Sequence, residues 1–206
     1  MKTFWITGTF TTALLVCSAS GVADSLGADK WYAGASLGYS SNDANQQDYL
    51  KNVDDGSLSN VDYDDGSLGG KIWLGYRITD MFFLEAGYTN LGKSKFSSTS
   101  DGTGSYPAGK ADLDIKIDGF TAAAGLRLPL GDKVHVHTRV GAFAWNADFD
   151  ADVTGSSAHD SEGDTDIFAT IGVSTSLGQF DVVLSYDAFF LDPYYDLLSI
   201  GIQRSF

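Results

Sequence analysis

The sequence predicts an all-β fold, an eight-stranded antiparallel up-and-down transmembrane β-barrel, and three observations carry that expectation. Stretch after stretch alternates apolar with polar residues, and aromatic rings stand at the ends of the apolar phase. The connections between these stretches alternate long and short. Beyond Ala23 no segment reaches the roughly 18 uninterrupted apolar residues of a membrane helix, so any span must be built of strands.

The first residues are set apart from this pattern. Lys2, an apolar run from Phe4 to Val16 and small residues ending at Gly21-Val22-Ala23 read as a secretory signal peptide, residues 1–23, cleaved after Ala23. Residues 24–206 are then the barrel domain. Cys17 is the single cysteine and leaves with the leader, so neither disulfides nor cysteine-held metal are expected, and stability must come from closing the sheet. Val16 ahead of Cys17 is a poor residue for lipoprotein processing. A formal net charge of -14, with 24 glycines and 3 prolines, describes one acidic all-β domain and argues against nucleic acid as a partner.

Lys30 to Ser41 sets Trp31, Ala33, Ala35, Leu37 and Tyr39 on one face, and Tyr32, Gly34, Ser36, Gly38 and Ser40 on the other. Aromatic residues at both ends of the apolar face fit the headgroup boundary, where an amphipathic ring is most stable. Ser41 to Ser67 reads as a long polar loop with seven aspartates against one lysine, and DDGSL recurs in it at Asp54 to Leu58 and Asp64 to Leu68. Lys71 to Asn90 is two strands joined round Thr79-Asp80, a link short enough to require an antiparallel hairpin. Ile72, Leu74, Tyr76, Phe82, Leu84, Ala86 and Tyr88 share its apolar phase. Lys71, Trp73, Gly75, Arg77, Glu85, Gly87 and Thr89 share the other, and charges beside glycine and tryptophan suit a crowded interior better than open water.

Leu91 to Ala111, rich in Ser, Gly, Thr and Lys, reads as a second long loop. In the strand Asp112 to Leu128 the outward phase is polar from Asp112 to Asp118 and apolar from Phe120 to Leu128, as though the strand projects beyond the membrane surface. After the turn Pro129 to Lys133, Val134 to Asn146 points Val134, Val136, Thr138, Val140, Ala142 and Ala144 outward, with Arg139, Gly141, Phe143 and Trp145 inward. Ala147 to Asp166 is the third long loop, with seven acidic residues and neither Lys nor Arg. Ile167 to Leu177, a tight turn at Gly178-Gln179, Phe180 to Phe190, a small loop at Leu191 to Tyr195 and Asp196 to Phe206 complete eight strands. The asymmetry of long and short links places the three long loops outside the cell and both ends of the barrel on the periplasmic side.

On WYAGASLGYS in the first strand, LEAGYTNLG after the first short turn and the closing SIGIQRSF, the chain resembles the small eight-stranded barrels of the outer membrane protein A-like family, alongside opacity proteins and attachment-invasion adhesins. The resemblance covers nearly all of the chain after the leader. It implies an integral place in the outer membrane of a Gram-negative envelope, with outer-membrane lipid, lipopolysaccharide and the barrel-assembly machinery as partners and Phe206 as the assembly signal. Arg204 stands where such endings often carry an aromatic, and nothing after Phe206 corresponds to the peptidoglycan-binding domain of larger members, so a cell-wall tether is not expected.

Six charges share the inward phase, Lys71, Arg77, Glu85, Arg127, Arg139 and Asp187, and are expected to form an interior network. With Thr79 to Met81 as the turn, Arg77 faces Phe83 and lies diagonal to Glu85, and Arg139 is the other possible partner of Glu85. An eight-stranded barrel is only just wide enough for its own side chains, and Tyr32, Trp73, Phe143 and Trp145 crowd it further. A general diffusion pore is therefore disfavoured, and a narrow or gated small-solute channel is the alternative. A lipid A-modifying enzyme would need a catalytic group near the outer rim, whereas His135 and His137 lie toward the short-turn end and His159 stands in an Asp- and Ser-rich loop, so no catalytic residue and no cofactor are expected. Alternate acids such as Asp148, Asp150 and Asp152 resemble divalent-cation ligands but complete no EF-hand loop, and no metal site is assigned. A soluble lipocalin-like carrier would need an apolar lumen, and the inward residues read mostly as Gly, Ser and paired charges. The expected role is an envelope structural or adhesion-type surface-interaction module whose long loops meet an extracellular or host surface ligand.

Overall fold

The computed structural model describes residues 30–43, 57–64, 66–103, 107–153 and 156–206; the expected leader lies outside them. Among these residues the strands are β1 (Trp31–Asn42), β2 (Leu58–Asp64), β3 (Gly66–Arg77), β4 (Phe82–Ser100), β5 (Gly109–Pro129), β6 (Val134–Val153), β7 (Ser156–Leu177), β8 (Phe180–Phe189) and β9 (Tyr195–Ser205). Every pairing is antiparallel. β1 pairs with both β3 and β9, and β4 with both β3 and β5, so β1 and β3 to β9 close a ring of eight. β2 stands outside the ring as an extra strand on the upper part of β4.

The short links follow from local chemistry. Between β3 and β4, Thr79 Oγ1 accepts from the backbone N–H groups of Met81 and Phe82, a side-chain cap that closes the turn and sets Arg77 opposite Phe83. Gly131 and Gly178, at φ of 141° and 66°, supply the left-handed backbone that the other two short links need.

Above the ring the chain departs from the expectation. The three stretches expected as loops contain strand among their described residues: β2 lies in the first, β4 continues through Leu91 to Ser100 in the second, and β6 and β7 pair without a register shift up to Val153 and Ser156 in the third. Outward apolar residues mark a strand only where lipid lies against it. Once it rises into water the outward face turns polar, while the ladder hydrogen bonds continue. At the base of this ribbon sheet the register of β4 slips between Asn90 and Lys93, where Gly92 takes φ 82° and Ser67 Oγ accepts from the Lys93 N–H. β3 gives way to β2 as the partner of β4 just beyond this bulge.

The outer wall carries an apolar band that includes Leu37, Ile72, Leu84, Val140, Ile171, Leu184 and Ile200, all exposed. So continuous a surface would be a liability in water and matches hydrocarbon. Aromatic pairs bracket it, Trp31 against Tyr76 at the short-turn end (5.0 Å between centroids) and Tyr88 against Phe120 below the ribbons (5.3 Å). Inside, paired charges with Gly and Ser fill the lower half, and buried Ser40, Asn42 and Ser94 continue the polar lining above it. The upper half adds an apolar core: Leu91, Ile115, Ile117, Phe143, Phe168, Phe189 and Leu197 pack into one cluster, with Phe168 stacked on Phe189 at 5.5 Å. Ile115 and Ile117 lie where β5 has Lys116 and Asp118 outside, and there the strand must bury its apolar phase inward, as a soluble sheet does; Phe143, Phe168, Phe189 and Leu197 fill the lumen behind the upper part of the apolar band. A lumen filled in this way, inside an apolar outer wall, leaves no room for the lipocalin-like alternative.

Candidate functional site

The interior charges fall into two tiers. In the upper tier Lys71 Nζ, from β3, lies 2.5 Å from Asp187 Oδ2 on β8, with the two side chains 7% and 1% exposed. Arg139 of β6 lies between two carboxylates: one guanidinium nitrogen is ion-paired with Glu85 of β4 and the other lies 3.4 Å from Asp187 Oδ1. Hydroxyl groups complete the set. Thr170 Oγ1 accepts from Arg139 Nε (3.0 Å) and donates to Asp187 Oδ1 (2.6 Å), Ser185 Oγ accepts from Lys71 Nζ (3.0 Å), and Tyr32 Oη donates to Glu85 Oε2 (3.2 Å). Two cations and two anions thus cross the lumen as one neutral, hydrogen-bonded bridge, the arrangement in which buried charges are tolerated.

Register explains the meeting. Glu85 pairs with Gly75 and Ala123, Arg139 with Gly125 and Thr170, and Thr170 with Asp187, so small wall residues flank the long side chains and let them reach across. Tyr32 lies over Gly75, where any Cβ would collide with its ring. The hydroxyls were missed in the sequence because inward Ser and Thr are common in every strand; only the register selects Thr170 and Ser185.

Arg77 and Arg127, grouped with the other charges in the sequence, occupy a lower tier. The Arg77 guanidinium lies 5.1 Å from the centre of the Tyr32 ring, and Arg127 Nη2 sits 3.1 Å from His135 Nδ1. Glu85 takes Arg139 as its cation. Phe206 follows β9, and its N–H donates to the Trp31 carbonyl (2.9 Å), which ties the last residue to the first strand of the barrel.

The three histidines are not brought together. His135 and His137 lie on β6 toward the short turns, whereas His159 is in the ribbon, with its Nδ1 2.8 Å from Asp150 Oδ1. That hydrogen bond holds the His159 pKa above its ordinary 6.5. Acidic side chains crowd the same ribbon, where Asp112 pairs with Asp152 and Asp114 with Asp150. Among the described residues, none of the His, Asp and Glu side chains gather as a metal-ion cage.

Comparison with known proteins places this geometry. A family model described as the OmpA-like transmembrane domain matches residues 27–187. Outer membrane protein A of Serratia marcescens is 28% identical over 150 residues, covering 71% of this chain and 38% of that protein. The chain spans about a third of the length of the curated relatives it matches. Among solved structures, Neisserial surface protein A shares the fold at a TM-score of 0.54 and 16% identity, covering 85% of this chain and 97% of that one. Ail, the attachment invasion locus protein of Yersinia pestis, crystallised with the heparin analogue sucrose octasulfate, aligns at a TM-score of 0.50 and 15% identity over 86% of this chain and 99% of that one.

Proposed function

This chain belongs to the OmpA-like transmembrane domain family and is an integral β-barrel of the outer membrane, and from that premise we propose that the barrel is a closed anchor and that the ribbon sheet of β4 to β7 is its working surface, turned outside the cell. One observation carries the reading: the lumen is crossed at two levels, by the Lys71–Asp187–Arg139–Glu85 bridge and by the cluster around Phe143, Phe189 and Leu197. A solute would have to part buried ion pairs and then an apolar core. The protein thus serves as an envelope structural or adhesion-type module rather than as a channel or an enzyme.

The ribbon's charge bears on the class of partner. Ail is seen with a sulfated ligand, but here Asp112 stands directly opposite Asp152, like charges that weaken the sheet and repel polyanions, while the neighbouring Asp114 is ion-paired with Lys93 (2.5 Å) and Asp150 is hydrogen-bonded to His159 (2.8 Å). A partner presenting Lys and Arg would relieve that repulsion, so the expected ligand is a basic protein surface. Intact cells displaying the protein test this. They should bind cationic more than sulfated surfaces, lose binding when Asp148, Asp150 and Asp152 become Asn, and be cut by added protease only in the ribbons. Cleavage confined to Thr79-Asp80, Gly131-Asp132 or Gly178-Gln179, or a steady open conductance in planar bilayers, refutes the proposal.

A further inference from the structure

We propose that the open edge of β7 in the ribbon takes up an extended segment of a partner protein as an added β-strand, one that carries Lys or Arg at every second position. This rests on the reading of the ribbon as a surface for basic partners and names how such a partner docks. β8 accompanies β7 only as far up as the bond from the Phe190 N–H to the Ile167 carbonyl (3.0 Å); above it, among the described residues, β7 pairs with β6 alone. Residues 157–165 are exposed on both faces. The Ile167 carbonyl points away from β6, and by the alternation of an antiparallel ladder so do the backbone N–H and C=O groups of Thr165, Gly163, Ser161, His159 and Ser157. Two of these N–H groups turn to side chains instead, Ser161 N to Asp160 Oδ1 (2.9 Å) and Thr165 N to Asp164 Oδ1 (2.7 Å). None of the five carbonyls accepts from a described residue.

Exposed edges of this kind are usually blunted by a bulge, a proline or a lysine. β2, at the other edge of the ribbon, is blunted: it is short, and its register slips between Ser59 and Asp62, where Asn60 takes φ 51°. β7 above Ile167 has neither proline nor lysine, and its register with β6 does not slip. Charge then names the occupant. Asp160, Glu162, Asp164 and Asp166 share the inward phase of Phe168, and none of them is ion-paired with a described Lys or Arg. A second copy added edge to edge would lay the same acids alongside, and like charges across a strand pair destabilise it. A segment with Lys or Arg at every second position sets its cations on the same side at the same spacing, while its backbone supplies the donors and acceptors that the edge lacks.

The probe is a peptide of alternating Lys and Thr, set against the same peptide N-methylated throughout, which keeps the charge and removes every N–H. The full chain in lipid nanodiscs should bind the plain peptide and shift its carbon-13-labelled amide I band to that of a paired strand, and should bind the methylated one at least about tenfold more weakly. Ser161→Pro costs no bond of the β6–β7 ladder, because that N–H faces the open side, and leaves every acid in place; it should weaken the plain peptide by a similar factor. Equal affinity of the wild type for the two peptides is capture by charge alone: strand addition is overturned and the basic-partner reading stands. Binding of neither peptide by a chain that still holds cationic surfaces on cells overturns strand addition in the same way, and loss of both takes the basic-partner reading with it. Dimers of the unliganded barrel that Ser161→Pro abolishes make the occupant a second copy and overturn the proposal. If Ser161→Pro does not insert, the two peptides decide the matter on the wild type alone.

Discussion

Asp187→Ala is the sharpest perturbation of the upper tier. The carboxylate is 1% exposed and receives Lys71 Nζ at 2.5 Å, Thr170 Oγ1 at 2.6 Å and an Arg139 nitrogen at 3.4 Å. In the wild type Lys71 and Arg139 balance Glu85 and Asp187. The substitution leaves one net positive charge, and the orphan is Lys71, because Arg139 keeps Glu85. Stripping one member from a buried pair costs about 3–5 kcal/mol, and the lost Thr170 hydrogen bond adds about 1 kcal/mol, so roughly 4–6 kcal/mol is expected. Lys71→Met together with Asp187→Ala returns the bridge to neutrality with Arg139 and Glu85 intact, and the double variant should lose at least about 2 kcal/mol less than the sum of the singles. Glu85→Ala should cost less than Asp187→Ala but still more than about 2 kcal/mol, since Arg139 retains Asp187. Urea unfolding from lipid vesicles, followed by tryptophan fluorescence and by the gel mobility of unheated samples, measures all four variants. A single-variant cost of about 1 kcal/mol or less, as solvated charges show, or additivity within about 0.5 kcal/mol, would refute the reasoning.

Three further outcomes are expected. Gly75→Ala sets a methyl group into the Tyr32 ring, forces that ring off the wall and breaks its bond to Glu85, so unfolding in the same assay should come at lower urea by about 1–3 kcal/mol, whereas Gly131→Ala, with open space around it, costs no more than the strain of its backbone. His159 should titrate above 6.5 by NMR and return toward that value in Asp150→Asn, because the hydrogen bond that its Nδ1–H donates to Asp150 is the main cause of its shift. A raised folded-state pKa means that this contact supports the ribbon fully below about pH 6.5 and is lost as the pH climbs through the folded-state value; amide exchange near His159 that does not quicken across that window would contradict it. Deleting Phe206 removes the hydrogen bond to Trp31 and the residue expected to be read by the assembly machinery, so outer-membrane levels should fall at low expression; normal levels would count against that role.

The ring was legible because lipid imposes a period of two with an apolar outward phase, and Lys71, Glu85, Arg139 and Asp187 stood out as charges in the opposite phase. Where they would meet was not legible. Arg77, diagonal to Glu85 in the hairpin, was the first candidate for it and Arg139 the second, until register carried Arg139 across the lumen and Arg77 to Tyr32. The projection of β5 was legible from Asp112 onward, but the other ribbons escaped notice for the converse reason: Asp148, Asp150 and Asp152 are the outward face of a strand in water, and their spacing looks the same in a polar loop. Ile115 and Ile117 mark the apolar upper core from the sequence, but their meaning depends on knowing that the solvent outside has changed.

That change of solvent happens within a single strand. β5 keeps its register with β6 unbroken while its outward residues pass from Lys116 and Asp118 to Phe120, Ala122, Ala124, Leu126 and Leu128. From Phe120 to Leu128 is nine residues, about 30 Å along the strand and about 23 Å along the membrane normal at a tilt near 40°. The chain therefore carries a waterline. If the barrel sank by two residues, Asp118 would take the place of Phe120 at the edge of the hydrocarbon, at up to about 1 kcal/mol there and more with each further step; if it rose by as much, Phe120 would leave its berth. A thicker bilayer must therefore thin around this barrel, at a fraction of a kcal/mol for each Å of mismatch, because the height of the apolar band is set by the strand itself.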